Sequence, residues 1–295
     1  MFKSRVWGGD YIAGRMPGAP RHEPLGEAWL VSDHPSGPTT DERGRALGEL
    51  APGRPWFPVM IKLLHAQADL SVQVHPNDEQ AKAVNDLGKS EGWLILSAKP
   101  GARICYGHRA ENAALLRAAL QAGNIERLLR YVEVRPGEYY TVPPGTVHAL
   151  GAGIVALEVQ QSSDTTYRLY DYQRPGQDGR PRELHVEEGL AVTVFPQPDL
   201  AGRRITARGG EEALCEANDH FRFSLLEVDG LQTIGARPGE AVCLISLADG
   251  VGPAADGSPA GQRREFDSFV LEPGESAEVG GRGPLAVVRV PLGDL

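Results

Sequence analysis

The residues best suited to chemistry lie in Gly137-Glu-Tyr-Tyr-Thr-Val-Pro143-Pro-Gly145-Thr-Val-His148. A β-like run leads into a tight Pro/Gly turn, and a histidine follows on the returning strand, aimed at whatever the strands enclose. One imidazole does not hold a metal, so partners are needed. Upstream, in Leu70-Ser-Val-Gln-Val-His75, Gln73 and His75 stand two apart and share one face of a strand, with Val72 and Val74 on the other. The run Gly88-Lys-Ser-Glu-Gly-Trp93 alternates in the same way and puts Lys89 and Glu91 on a common face. His75, His148, Glu91 and the amide oxygen of Gln73 form a borderline donor set, suited to one Zn2+ per chain and tolerant of Mn2+ or Co2+. The missing thiolates favour a catalytic over a structural metal. Downstream, Glu158 and Gln160 share a strand face, the block Gln161–Thr166 is polar, and Arg168 is the obvious cation for an anionic substrate group.

Holding these side chains together requires a β-rich frame. Short apolar runs separated by Pro-Gly punctuation predict strands over Leu70–His75, Gly92–Ser97, Tyr131–Val134, Tyr139–Val142, Ile154–Gln160, Phe223–Val228, Val242–Leu247, Phe266–Leu271 and Leu285–Val290. Helical spacing appears in Asp78–Leu87, behind a Pro76-Asn77 start signal. It appears again in Asn112–Arg130, which Gly123-Asn124 should split. Arg135-Pro-Gly-Glu138 recurs as Arg237-Pro-Gly-Glu240 and as Glu272-Pro-Gly-Glu275, each a type II turn signal at the entrance to a strand. The expected architecture is mainly β. It comprises two tandem jelly-roll barrels, 1–188 with the metal ligands and a small helical insertion at about 110–130, and 189–295 without ligands. The seam is expected near Gly189–Arg203, and Asp249–Arg264 reads as a mobile loop.

The whole-chain properties exclude several classes. A net charge of −9 argues against non-specific nucleic-acid binding. No apolar run is long enough for a membrane helix, and the N-terminus lacks the apolar core of a signal peptide. Three widely spaced cysteines, Cys105, Cys215 and Cys243, make a disulfide framework improbable, so a reducing, cytoplasmic location is expected. Monomer and homodimer both remain open.

The glycine, five residues, then P-x-G-x-x-H pattern around His148 is similar to the second cupin motif, with Ala152 where asparagine is usual. More specifically, the chain resembles the type I mannose-6-phosphate isomerase family in its short bacterial form. The likeness rests on Gly26-Glu-Ala-Trp29 with Ser32-Asp-His34, Ile61-Lys-Leu-Leu64, Leu70–Asp78, Gly88–Trp93, Pro143–Leu150 and Glu158–Tyr172. It covers roughly Trp7 to Val186. The resemblance implies metal ligation by Gln73, His75, Glu91 and His148, an active-site lysine at Lys89 and an arginine at Arg168. It also implies an acidic pocket residue at Glu158. The implied reaction interconverts mannose 6-phosphate and fructose 6-phosphate through an enediol, with the sugar phosphate as the small-molecule partner. In that reaction Glu158 is the expected base for the C2 proton, and an apolar pocket is expected to raise its pKa. Lys89 and Arg168 would stabilise the oxyanion or hold the phosphate. Pro144 departs from the family, whose members often carry Lys or Ser there, which puts one phosphate contact in doubt. Trp29 and Trp93 are expected in the barrel wall or rim. Lys62 reads equally as a phosphate contact or as a snorkelling rim lysine. Three rivals stand beside this reading: an Fe2+ dioxygenase, a non-catalytic sugar-binding cupin, and an isomerase of another or an unphosphorylated hexose.

Overall fold

The computed structural model describes residues 1–40, 44–51, 57–254 and 259–292. The chain is mainly β, as expected, and its strands form four antiparallel sheets. A seven-stranded sheet runs in the order Phe2–Gly9, Leu25–Val31, Val59–Ala66, Ile154–Gln161, Glu91–Ala98, Glu138–Val142, Arg203–Arg204. A five-stranded sheet contains Tyr167–Tyr170, Val72–Val74, His148–Leu150, Arg103–His108 and Leu129–Glu133. The C-terminal part adds a five-stranded sheet, Glu212–Ala217, Arg222–Asp229, Arg282–Pro291, Glu240–Ser246 and Ser268–Leu271. A three-stranded sheet of Gln232–Gly235, Ser276–Gly280 and Gly252–Pro253 completes it. Among the described residues each sheet ends in a free edge.

Alternation along single strands explains the layers. In Val59–Ala66 every residue is buried, so the strand has apolar neighbours on both faces. Ile61 and Leu63 pack outward with Leu157 and Val159 against Phe221, Phe223, Ile245 and Val288 of the C-terminal five-stranded sheet. Leu64 points the other way and joins Trp7, Trp93, Ile104, Tyr106 and Tyr140 between the first two sheets. Val72 and Val74 lie under the helices Ala113–Gln121 and Val186–Val192, with Leu116, Ile125 and Leu190. Their outward orientation is the one the sequence predicts for residues flanking Gln73. The C-terminal unit therefore covers the outer face of the seven-stranded sheet, a role its sequence did not disclose.

The helical expectations hold with shorter boundaries. Asn77 and Gln80 close a capping box on the helix Asp78–Ala81, but a 3-10 turn, Lys82–Val84, follows and Asn85 adopts φ 55°, which ends it. Gly123, at φ 66°, stops Ala113–Gln121 before the 3-10 turn Ile125–Leu128, and Leu129 already begins a strand. The helix Val186–Val192 and the strands Phe2–Gly9 and Leu25–Val31 were not anticipated. The expected loop Asp249–Arg264 contains the short strand Gly252–Pro253, and its residues 255–258 lie outside the described residues.

Candidate metal centre and active-site cavity

Strand pairing brings remote residues into two facing rows. In the five-stranded sheet Arg168 pairs with Gln73, Gln73 with His148, and His148 with Tyr106. In the seven-stranded sheet Trp29 pairs with Lys62, Lys62 with Glu158, Glu158 with Trp93, and Trp93 with Tyr140. Two positions along, on the same face, Gln160 pairs with Glu91. Because side chains alternate, each row projects from one face.

His75, Glu91 and His148 are at most 1% exposed, and one donor atom from each lies within 4.8 Å of the others. Glu91 Oε1 is 3.2 Å from His148 Nε2, and Glu91 Oε2 is 3.5 Å from His75 Nε2. The tautomers follow from the far side of each ring. His75 Nδ1 lies 3.0 Å from the Thr165 carbonyl and His148 Nδ1 lies 2.8 Å from the Thr146 carbonyl. A carbonyl only accepts, so each Nδ1 carries the proton and each Nε2 offers a lone pair inward. Burial, the largest influence, holds His148 neutral with its pKa lowered to about 3, and His75 well below the usual range. Gln73 presents its amide to His148 Nε2 at 3.3 Å, and a half turn of that amide exchanges its oxygen and nitrogen ends.

This donor group fits a divalent cation. Glu91 Oε1 is buried with no hydrogen-bond partner and faces a lone pair. Burial raises the Glu91 carboxyl to about 7 against the pull of Lys89. Positive charge inside the group relieves both problems. Lys89 supplies some, since its ammonium contacts Glu91 Oε2 and lies 3.0 Å from His75 Nε2. Burial opposes a charge on Lys89, but Glu91 and Glu158 outweigh it and raise its pKa.

A cavity of about 420 Å³ lies beside this group, lined by Gln73 and Lys89, which touch it, and by Lys62 and Glu158. Glu158 accepts from Trp93 Nε1 at 3.0 Å and lies 3.4 Å from Lys62 Nζ. Its environment corrects the expectation of a raised pKa. Burial does act upward, but Lys89 and Lys62, with hydrogen bonds from Trp93 and Lys62, bring the carboxyl down to about 2. The pocket is charged, not apolar. Lys62 is 5% exposed and donates to Gln160 Oε1 at 2.7 Å, so it is no snorkelling rim residue.

Arg168 stands at the mouth with Arg5 and Arg182. Its Nη1 donates to the Glu183 carbonyl at 2.7 Å, while its Nε is buried without a partner. Burial first, then Arg182, lowers its pKa. Trp29 and Trp93 are wall residues, 2% and 1% exposed, and each turns its indole N–H onto a carboxylate, Glu27 and Glu158. Sequence reasoning missed Glu27, which also accepts from Arg5 Nε at 2.7 Å. A carboxylate two residues before Trp29, on the same strand face, was the available signal.

The N-terminal stretch 1–92 matches the family description "Phosphomannose isomerase type I, catalytic domain". That stretch holds Gln73, His75, Lys89 and Glu91 but not His148. Longer matches cover the rest. The mannose-6-phosphate isomerase of Streptococcus mutans is 34% identical over 282 residues, 90% of this chain and 89% of the relative. The chain belongs to the type I phosphomannose isomerase family. The mannose-6-phosphate isomerase ManA of Bacillus subtilis is 41% identical over 213 residues, 66% of this chain and 67% of that protein. The crystal structure of the Bacillus subtilis mannose 6-phosphate isomerase superposes with a TM-score of 0.87 at 32% identity, covering 98% of this chain and 97% of that one. A phosphomannose isomerase variant from Salmonella typhimurium shares the fold at a TM-score of 0.69 and 20% identity, over 99% and 98% of the two chains.

Proposed function

We propose that this protein is a metal-dependent aldose–ketose isomerase that interconverts mannose 6-phosphate and fructose 6-phosphate. The observation that carries the reading is one cavity lined by two lysines, a carboxylate and arginines, next to a buried His/Glu/His group that its lining residues Gln73 and Lys89 touch. That arrangement matches a sugar phosphate lying with its C1–C2 end inward and its phosphate outward.

The proposed ligands are Gln73, His75, Glu91 and His148, and the proposed metal is Zn2+, with Mn2+ or Co2+ as substitutes. When bound, a divalent cation there supplies Lewis acidity toward the sugar's carbonyl and hydroxyl oxygens. Glu158 is the proposed acceptor of the C2 proton, which returns to C1. At a pKa of about 2 it is a weak base, but it is ionised at every working pH. The ammoniums of Lys89 and Lys62 that weaken it also lie where the enediolate's negative charge develops, and stabilise that charge. Arg168 is the proposed phosphate grip, because its guanidinium keeps donor capacity facing the cavity. Trp93 holds Glu158 in place through its indole N–H.

The two pairs of sheets are proposed to be tandem cupin-type barrels, the first bearing the chemistry and still including the strand Arg203–Arg204. No helix among the described residues is long and apolar enough to cross a membrane. A cytoplasmic location is proposed from the low cysteine content.

A coupled assay tests the function. Mannose 6-phosphate is expected to turn over and free mannose is not, with activity lost on chelation and restored by zinc. Equal turnover of free mannose overturns the substrate assignment, and full activity in chelator overturns the metal.

A further inference from the structure

The mechanism above makes no use of the C-terminal unit, yet one corner of that unit, residues 216–221, reaches both ends of the segment Gly88–Gly92. At the far end, Gly92 lies between Glu91 and Trp93, whose side chains point inward, so its own missing side chain faces the C-terminal unit. Tyr139 Oη fills that place. A Cβ on Gly92 would lie 1.8 Å from Tyr139 Oη and 2.8 Å from Glu216 Oε2. Glu216 Oε2 accepts from Tyr139 Oη at 2.6 Å and from Thr141 Oγ1 at 3.1 Å, and Thr141 is the ladder partner of Gly92. Glu216 Oε1 accepts from Asn218 Nδ2 at 2.7 Å. Glu216 is 8% exposed and makes no ion pair among the described residues. A buried carboxylate held only by neutral donors carries a desolvation cost, which an apolar residue would avoid. What the carboxylate achieves is to fix a hydroxyl against the back of the strand that carries Glu91.

At the near end, Asn218 Oδ1 accepts from the N–H groups of His220 and Phe221, both at 2.9 Å, which shapes the corner. His220 Nε2 then lies 3.7 Å from Asp78 Oδ2. Asp78 Oδ1 accepts from Gly88 N and from Gln161 Nε2, both at 2.9 Å, and Gln161 Oε1 accepts from Ser90 N at 2.8 Å. The backbone N–H groups on either side of Lys89 are thus held by Asp78 and Gln161, and His220 approaches Asp78 from the C-terminal unit.

We propose that Glu216 and His220 are positioning residues, through which the C-terminal unit clamps Lys89–Glu91 against His75, His148 and Gln73. The proposal rests on the metal-dependent reading. It is tested on the full chain by measuring zinc affinity against a chromophoric chelator, kcat and KM for mannose 6-phosphate, and thermal stability. Glu216→Ala is expected to weaken zinc binding roughly tenfold, the scale of losses beyond the ligand shell, and to lower kcat at saturating zinc without raising KM. Glu216→Gln, which still accepts from Tyr139, restores most of both. Tyr139→Phe matches Glu216→Ala, and the double variant adds nothing further. His220→Ala lowers kcat more than zinc affinity, because it acts on Lys89. Val288→Ala, in the same apolar layer, lowers the melting temperature and leaves zinc affinity unchanged. Wild-type zinc affinity and kcat in Glu216→Ala overturn the clamp; if that variant does not fold, the same result in Tyr139→Phe does so. A wild-type chain that binds no zinc overturns the metal reading itself, and the clamp with it.

Discussion

Between the first two sheets lie Lys62, His75, Lys89, Glu91, His148 and Glu158, all buried. Between the second two lie Leu226, Val228, Ile234, Val242, Leu244, Leu285 and Val287, equally buried and uncharged, with Ser224 and Ser246 as polar neighbours on the same strand faces. Both pairs grow from the same turn. Gly137, Gly239 and Gly274 have φ of 83°, 76° and 84°. In each turn the following glutamate returns its carboxylate to the first residue's N–H, at 2.9, 3.2 and 2.8 Å. The difference between the units therefore lies in what their inward positions carry, not in how their strands are started. An aliphatic interior is stabilised by burial and packing. A charged one opposes burial at every group and is held by partners, with Glu91 Oε1 left lacking one. Substitutions in the first interior should cost chemistry, and those in the second should cost stability.

The largest expected effect is at the donor group. His75→Ala combined with His148→Ala should abolish stoichiometric zinc and lower turnover by on the order of 10³-fold, the rate equivalent of losing several kcal/mol of charge stabilisation. Metal analysis of the purified chain with the coupled assay checks this. Zinc retained at one per chain would place the metal elsewhere.

Next comes Glu158→Gln, expected to lower kcat by about 10²-fold, within the range for loss of a general base, with zinc content unchanged. Near-wild-type kcat with metal bound would remove Glu158 from the proton transfer. The same pair of proteins reads the electrostatics. A carboxyl brought from 4.5 down to about 2 in the folded state contributes stability above pH 4.5 that is lost as pH falls through about 2. Unfolding followed between pH 5 and 2 should show the wild type losing stability that Glu158→Gln does not lose.

Leu244→Ala reverses the pattern. Leu244 is fully buried in the second interior, so truncation leaves a cavity and should cost about 2–5 kcal/mol in urea unfolding. Zinc affinity and kcat per folded molecule should stay at wild-type values. A change in either would mean that the second interior reaches the site by packing as well as through the corner at Glu216.

How much of this contrast was legible beforehand depended on whether a signal was local. His148 sits in a Pro/Gly frame, and Gln73 with His75 and Lys89 with Glu91 stand two apart, each pair at the end of one strand. Their shared faces follow from strand periodicity alone. The same reading placed nine of the twenty strands among the described residues and the split at Gly123. What it could not supply was pairing across the chain. Lys62 is opposite Glu158 only because Val59–Ala66 pairs with Ile154–Gln161, 98 residues on at the Lys62–Gln160 contact. Without that partner a lysine in an apolar strand reads equally as a phosphate contact or as a rim residue. The raised pKa expected for Glu158 failed for the same reason, because two ammoniums from other segments, Lys62 and Lys89, meet it. Glu216 carried no motif at all, since its meaning comes from the packing of one unit on the other.

The smallest effects lie at the shared turns, where the two units are alike. Among the described residues the Glu275 carboxylate contacts Glu272 N alone, on the surface, so Glu275→Ala should cost about 0.5–1 kcal/mol. Glu240 also accepts from Arg289 Nη1 at 3.2 Å, and Glu138 from Tyr140 Oη at 2.8 Å. Alanine at either should therefore cost somewhat more, up to about 1.5 kcal/mol by unfolding. Turnover should be nearly unaffected in all three, because Tyr140 remains packed edge-on against Tyr106 at 5.5 Å without its hydroxyl partner. The informative comparison is Glu138→Ala with Glu240→Ala. Equal stability losses with unchanged kcat would assign the turn to the scaffold of both units. A loss of kcat at Glu138 would mean instead that the turn helps to hold the strand beside Glu91–Ala98, and the difference between the units would then begin one step earlier, in the frame itself.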